Sequence, residues 1–128
     1  MSPEKLPLSV IVLTFNEEQN IGPCLESIVS WAQEIFVVDS GSTDRTLDIV
    51  SKYGAKVLTH PFQNYSHQRN WAQNNVPLSH EWVFHIDADE RVSPELAARL
   101  GELFAGRSHS TQDYAGYMVR RKIIFFGK

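Results

Sequence analysis

Trp82-Val83-Phe84-His85-Ile86-Asp87-Ala88-Asp89 decides the reading of this chain: an apolar run of strand length gives way at once to two carboxylates. Open α/β sheets bind their ligands at the carboxyl ends of the strands. In an extended stretch residues i and i+2 project to the same side, so Asp87 and Asp89 are expected to face one hard cation. Such a cation takes oxygen ligands and completes its shell with substrate phosphates. The pair therefore reads as a nucleotide-diphosphate metal site. The competing reading of any isolated D-x-D is a solvated acidic turn, so the surrounding sequence has to decide.

Two further strand ends supply that context. Ile35-Phe36-Val37-Val38 is β-branched and apolar, and it ends in Asp39-Ser40-Gly41-Ser42-Thr43-Asp44, a polar turn leading into a helical pattern. Leu8-Ser9-Val10-Ile11-Val12-Leu13 ends in Thr14-Phe15-Asn16-Glu17-Glu18, which offers hydroxyl, amide and carboxylate groups where a strand gives way to a helix. Three polar rims at one edge of a sheet make a nucleotide-sized site.

The elements between these strands alternate with them. Asn20 is placed to cap a helix with the stripe Ile21, Leu25, Ile28 and Val29. Ser42 or Thr43 is placed to cap another through Leu47, Val50 and Tyr53, stopped by Gly54. Lys56-Val57-Leu58-Thr59 reads as a short strand, 65–75 as a helix with Trp71 inward, and Val76-Pro77-Leu78 as a turn. Ser93-Pro94-Glu95 opens a helix with the stripe Leu96, Leu100, Leu103 and Phe104, and 114–126 reads as strand. Strand–helix alternation predicts an α/β fold: a mainly parallel, Rossmann-like sheet with helices on both faces.

At 128 residues the chain suits one domain, 1–128, and its 42% hydrophobic and 21% charged content is that of an ordinary globular protein. The net charge of −3, with basic residues clustered only at Arg120-Arg121-Lys122, argues against a nucleic-acid partner. Cys24 is the single cysteine, so no internal disulfide forms, and a small semi-buried side chain is its expected role. No apolar run reaches membrane-spanning length and no signal-peptide pattern is present, which predicts a cytoplasmic chain. The apolar end Ile123-Ile124-Phe125-Phe126 suggests a fold continued downstream, truncated here at its carboxyl end.

Taken together, Asn16-Glu17-Glu18, Val38-Asp39-Ser40-Gly41-Ser42-Thr43-Asp44, Gln68-Arg69-Asn70 and Asp87-Ala88-Asp89-Glu90, in that order, resemble the donor-binding half of family-2 glycosyltransferases with the GT-A fold. The likeness runs from Leu8 to about Leu100 and is strongest to the branch containing lipopolysaccharide-core glucosyltransferases, where the Asp-Ser-Gly-Ser-Thr-Asp and Asp-Ala-Asp-Glu-Arg-Val-Ser-Pro wordings recur. The resemblance implies inverting transfer of a sugar from a nucleotide diphosphate, usually a UDP-sugar, to an acceptor hydroxyl, with Mg²⁺ or Mn²⁺. It implies that Thr14, Asn16 and Glu17 pack around the nucleoside, that Asp39 binds uracil or ribose and that Arg69 holds the base or pyrophosphate. Asp87 would contact ribose or a metal-bound water, Ala88 would lie in the donor rim, and Asp89 would ligate the metal. The family's general base normally lies well downstream of the D-x-D pair, so it is expected beyond Lys128, and no catalytic base is assigned within the chain. Asp113, the only acidic residue after Glu102, has flanks unlike the family's catalytic segment.

Plainer readings stand beside these. Arg69 also suits a surface helix, Asp44 a first helical turn, and Glu17 a helix start. The five histidines lack zinc-site spacing, and His85, alternating with Phe84 and Ile86, fits a hydrogen-bonded core imidazole. Arg120-Arg121-Lys122 beside Phe125-Phe126 is a basic strand flank, or a peripheral contact with the inner face of the cytoplasmic membrane suited to a glycan or lipid-linked acceptor. Two functions compete: an enzyme domain lacking its acceptor side, and a donor-binding module that holds UDP-sugar and metal without transfer. A sugar-nucleotide pyrophosphorylase would show a Gly-rich phosphate loop where this chain has Asn16-Glu17-Glu18-Gln19-Asn20.

Overall fold

The computed structural model describes residues 5–76, 82–106 and 123–125. Five strands run in the order β3-β2-β1-β4-β5, every pair parallel: β1 (Leu6–Thr14), β2 (Ala32–Asp39), β3 (Lys56–Thr59), β4 (Trp82–Asp87) and β5 (Ile123–Phe125). The helices are α1 (Ile21–Glu26), α2 (Thr46–Ser51), α3 (Tyr65–Asn75) and α4 (Pro94–Gly106). The chain lays β2 and β3 down on one side of β1 and then crosses to place β4 on the other. That reversal opens a crevice at the carboxyl ends of β1 and β4, where doubly wound sheets take ligands.

Period-2 alternation divides the apolar residues between two faces. Leu8, Val10 and Val12 of β1, Ile35 and Val37 of β2, and Phe84 and Ile86 of β4 pack with Ile21, Leu25, Val50 and Leu100 of α1, α2 and α4. Ile11, Leu13, Phe36, Val38 and Val83 pack on the opposite face with Ala72 and, partly buried, Trp71 of α3. Covered on both sides, β1 is buried from Leu8 to Thr14, which is why its sequence reads as an apolar run rather than an alternation. The expected helices on both faces are therefore present.

Some local expectations are corrected. Asn20 occupies the position before α1, but its backbone is already helical and its amide donates to Glu17 Oε1 at 2.9 Å, so it does not cap the helix. Neither Ser42 nor Thr43 caps α2, which starts only at Thr46. Ser42 Oγ is taken up by Asp39 and the Asn16 amide, and Asp44 instead accepts from the Thr46 N–H at 2.9 Å. Cys24 is fully buried in the core rather than semi-buried. Gly54 does end the α2 segment, at φ +75°. The turn residues 77–78, the side chains of Leu103 and Phe104, and 114–122 and 126 of the expected last strand lie outside the described residues.

Candidate functional site

At the carboxyl ends of the strands, register sets the site. Thr14 lies opposite Asp39 on β2, and Leu13 lies opposite Asp87 on β4. Three further backbone bonds prolong the ladders into the loops: Ser40 N–H to Thr14 O (3.1 Å), Ala88 N–H to Leu13 O (3.0 Å) and His60 N–H to Asp39 O (2.9 Å). Above this floor is a cavity of about 470 Å³, within the size range of small-molecule sites. Of the candidate residues, Thr14, Glu17, Asp87, Ala88 and Asp89 line it; Asn16, Asp39 and Arg69 do not.

Asp87 and Asp89 reach the cavity by a different geometry from the one expected. Only Asp87 is extended; Ala88 and Asp89 form a turn closed by Glu90 N–H to Asp87 O (2.9 Å) and by Asp87 N–H to Glu90 Oε1 (2.9 Å). The turn, not strand periodicity, brings both carboxylates to one wall. Ala88, 2% exposed, roots the turn in the core. Cys24 sits close by, with Sγ 3.8 Å from Asp87 O. Its thiol is pushed up to about 12, mainly by burial and further by the carboxylates of Glu90, Asp87 and Asp89, so it is no nucleophile.

A chain of side-chain-to-backbone bonds laces the β1 and β2 loops together. Asp39, fully buried, accepts from Gly41 N–H (2.9 Å), Ser42 N–H (2.7 Å) and Ser42 Oγ–H (2.5 Å). Ser42 Oγ accepts from Asn16 N–H (2.8 Å), while Asn16 Oδ1 accepts from Thr43 N–H (2.8 Å). Gly41 at φ +107° lets the loop turn back onto the carboxylate. Thr46 Oγ1 accepts from Glu17 N–H (2.9 Å) and donates to Asp44 Oδ1 (2.5 Å). Desolvation works against ionisation of Asp44, but hydrogen bonds from Thr46 and the Glu18 amide outweigh it and hold the carboxyl below its usual value.

The part of the lining that follows β3, with Phe62 and Tyr65, has no assignment from sequence. Phe15, Phe62 and Tyr65 line the cavity while 52%, 48% and 59% exposed, and the Phe62 and Tyr65 rings meet edge to face at 5.2 Å. Large rings left open to solvent at a cavity mark a surface for a flat partner. Ser40, Pro61 and Gln68 complete the wall. The available signal was the pair of rings in 61–65, a segment whose apolar residues follow neither period. Gln68 was visible as part of Gln68-Arg69-Asn70, but the neighbouring Arg69 took the role.

Arg69 lies on α3 near His85, a core imidazole 3% exposed and bonded through Nε2 to Gln73 Oε1 at 3.1 Å. His85 is lowered to about 3, first by burial and then by the Arg69 charge, so it is neutral at physiological pH. No group of three or more His, Cys, Asp or Glu among the described residues could cage a metal. Two carboxylates lining one cavity instead fit a divalent cation that would take its remaining ligands from phosphates and water. No described helix is long and apolar enough to cross a membrane. Asp113 and Arg120-Arg121-Lys122 lie outside the described residues.

Residues 9–117 match the profile described as Glycosyl transferase family 2. The lipopolysaccharide core biosynthesis glycosyltransferase LpsC of Rhizobium meliloti (strain 1021) is 37% identical over 128 aligned residues, which cover 96% of this chain and 45% of that protein. Among solved structures, S. aureus TarS 1-349 in complex with UDP superposes with a TM-score of 0.57 at 30% identity, covering 75% of this chain and 31% of that one. Glucosyl-3-phosphoglycerate synthase from Mycobacterium tuberculosis, in complex with Mn²⁺, UDP and glucosyl-3-phosphoglycerate, gives 0.58 at 25% identity, covering 80% and 41%. The chain spans about two-fifths of the length of the curated relatives most similar to it, such as LpsC. The sheet order, the cavity at its switch point and these likenesses agree: the chain is a GT-A-fold member of glycosyl transferase family 2.

Proposed function

We propose that this chain is the donor-binding part of an inverting glycosyltransferase that takes a sugar from a UDP-sugar, assisted by Mg²⁺ or Mn²⁺. The observation that carries the reading is the two-ended cavity, with a diacid turn at one wall and open aromatic rings at the other. The diphosphate lies at Asp87 and Asp89, Asp89 ligating the metal, and the nucleoside lies along Thr14 and Phe15 toward Phe62 and Tyr65. Asn16 and Asp39 act mainly by holding the loop beneath it, and Arg69 adds positive charge from α3. A divalent cation held by these carboxylates would supply positive charge to offset that of the departing diphosphate. UDP in the TarS complex, and UDP with Mn²⁺ in the mycobacterial synthase complex, support this choice of donor and metal.

Transfer requires the acceptor hydroxyl to attack the anomeric carbon as the bond to the diphosphate breaks, its proton passing to a base that we place beyond Lys128. As acceptor we propose a glycan or lipid-linked molecule of cell-envelope synthesis, met at the inner face of the cytoplasmic membrane; the likeness to LpsC, a lipopolysaccharide core biosynthesis glycosyltransferase, supports the cell-envelope part of that reading. Because these residues span two-fifths of the relatives' length, a second reading holds for the chain by itself: it binds donor and metal without transfer. Calorimetric titration of UDP with and without Mn²⁺ tests the proposal. Metal-linked UDP binding is expected; no UDP binding in the presence of Mn²⁺ overturns it.

A further inference from the structure

Ser40 follows the last residue of β2 and lines the cavity. A hydroxyl donates once and accepts twice, and the neighbouring bonds decide which of these Ser40 does. The Gln68 side chain, in a residue 1% exposed, makes three contacts: His60 Nδ1 at 2.9 Å, His60 O at 3.1 Å and Ser40 Oγ at 3.2 Å. A backbone carbonyl only accepts, so the amide NH₂ faces His60 O, and that same NH₂ faces Ser40. Gln68 Oε1 then accepts from His60 Nδ1–H. The His60 ring is held for this by stacking on Trp71, with centroids 4.1 Å apart. Ser40 Oγ is thereby an acceptor within the protein, and its own proton bonds to no described residue. At the cavity wall Ser40 is a hydrogen-bond donor with a fixed assignment.

Its location says what the donor meets. Ser40 follows β2, two strands away from the Asp87–Asp89 turn after β4, a separation of about 10 Å at the usual strand spacing. It shares its side of the cavity with Gln68 and the exposed rings of Phe62 and Tyr65, which suit a flat heterocycle. We propose that Ser40 donates to the exocyclic carbonyl of a keto nucleobase, O4 of uracil or O6 of guanine, and that Gln68 is the positioning residue that keeps its proton turned to the cavity. Cytosine and adenine carry an amino group at that place and cannot accept the bond. The site is thus selective for UDP and GDP over CDP and ADP. This rests on the nucleotide-donor reading above.

The test is calorimetry of the 128-residue chain in Mn²⁺ with UDP, GDP, CDP, ADP and inorganic pyrophosphate. Wild type is expected to favour the keto member of each pair. Ser40→Ala should weaken that member by about two- to tenfold, as for one neutral hydrogen bond, and leave CDP, ADP and pyrophosphate unchanged. Gln68→Met, its fold checked by circular dichroism, should reduce the same preference without altering pyrophosphate binding. A wild type that binds no nucleoside diphosphate overturns the donor reading and this inference together. Tight UDP or GDP binding with a silent Ser40→Ala, or equal losses for keto and amino bases, overturns the base contact alone. An undiminished preference in Gln68→Met overturns the orienting role.

Discussion

Thr14→Val is expected to make the protein more stable and a poorer ligand binder at once. Thr14 ends β1, is 5% exposed, and its Oγ1 is buried without a hydrogen-bond partner among the described residues. A buried hydroxyl left unsatisfied costs about 1–3 kcal/mol, against little for an apolar group of the same shape. Valine keeps the β-branched shape that this strand end favours and replaces the hydroxyl with a methyl. The variant should therefore gain about 1–2 kcal/mol in urea unfolding, with an unchanged m-value. For a chain of this length that corresponds to a rise of roughly 3–5 °C in Tm per kcal/mol. In the same preparation UDP affinity should fall about two- to tenfold, because the proposed donor supplies the missing partner. A Thr14→Val chain less stable than wild type would show that Oγ1 is satisfied in the free protein. A stabilised chain with unchanged UDP affinity would remove Thr14 from the donor site.

Asp89→Ala should abolish the Mn²⁺ dependence of UDP binding, measured by titrating Mn²⁺ at fixed UDP; equal metal linkage in variant and wild type would refute the assignment. Asp39→Asn should cost about 1.5–3 kcal/mol in urea unfolding, as loss of a charge-assisted hydrogen bond would, and weaken UDP more than pyrophosphate. Unchanged stability would refute the loop-holding role inferred from its three bonds. His85 makes stability pH-dependent: above the ordinary value of 6.5 both states are neutral, and below it the unfolded chain gains a proton that the folded chain refuses until about 3. Stability should thus be flat above pH 6.5 from this group and lower by about 2 kcal/mol at pH 5. His85→Gln should flatten the curve by that amount, and parallel curves for the two proteins would refute the depressed imidazole.

The strands were legible because burial on both faces leaves a continuous apolar run, and Val10-Ile11-Val12-Leu13 and Ile35-Phe36-Val37-Val38 had no other use. The starts of α1 and α2 were not, because capping depends on where a side-chain oxygen finds an amide, whereas Ser93-Pro94 does open α4, with Ser93 Oγ accepting from Leu96 N–H at 3.1 Å. Ser42 has the right chemistry for a cap, but Asp39 and Asn16 engage it first. The acidic pair was legible as a pair and misjudged in mechanism: it occupies a turn, set by Glu90 three residues on, where period-2 geometry no longer applies.

Sequence alone also could not divide the polar rim into the groups that build it and the groups left over for a ligand, since both kinds are drawn from the same residue types. Asn16, Asp39, Asp44 and the Glu18 carboxylate all accept hydrogen bonds from backbone N–H groups of the two loops. Thr14 Oγ1 and the Ser40 proton have no such partner among the described residues, and Asp89 is exposed at the cavity wall. The division follows from strand order, which sets β1 between β2 and β4 and so brings residues some 70 positions apart to one floor. It also has an energetic signature. Substituting the builders removes hydrogen bonds already present in the free protein, so the loss appears in stability first and in affinity as a consequence. Substituting Thr14 removes no side-chain hydrogen bond among the described residues, so affinity falls while stability holds or rises. The Asp39→Asn and Thr14→Val chains, compared in one urea series and one UDP titration, should fall on opposite sides of wild type in stability and on the same side in affinity.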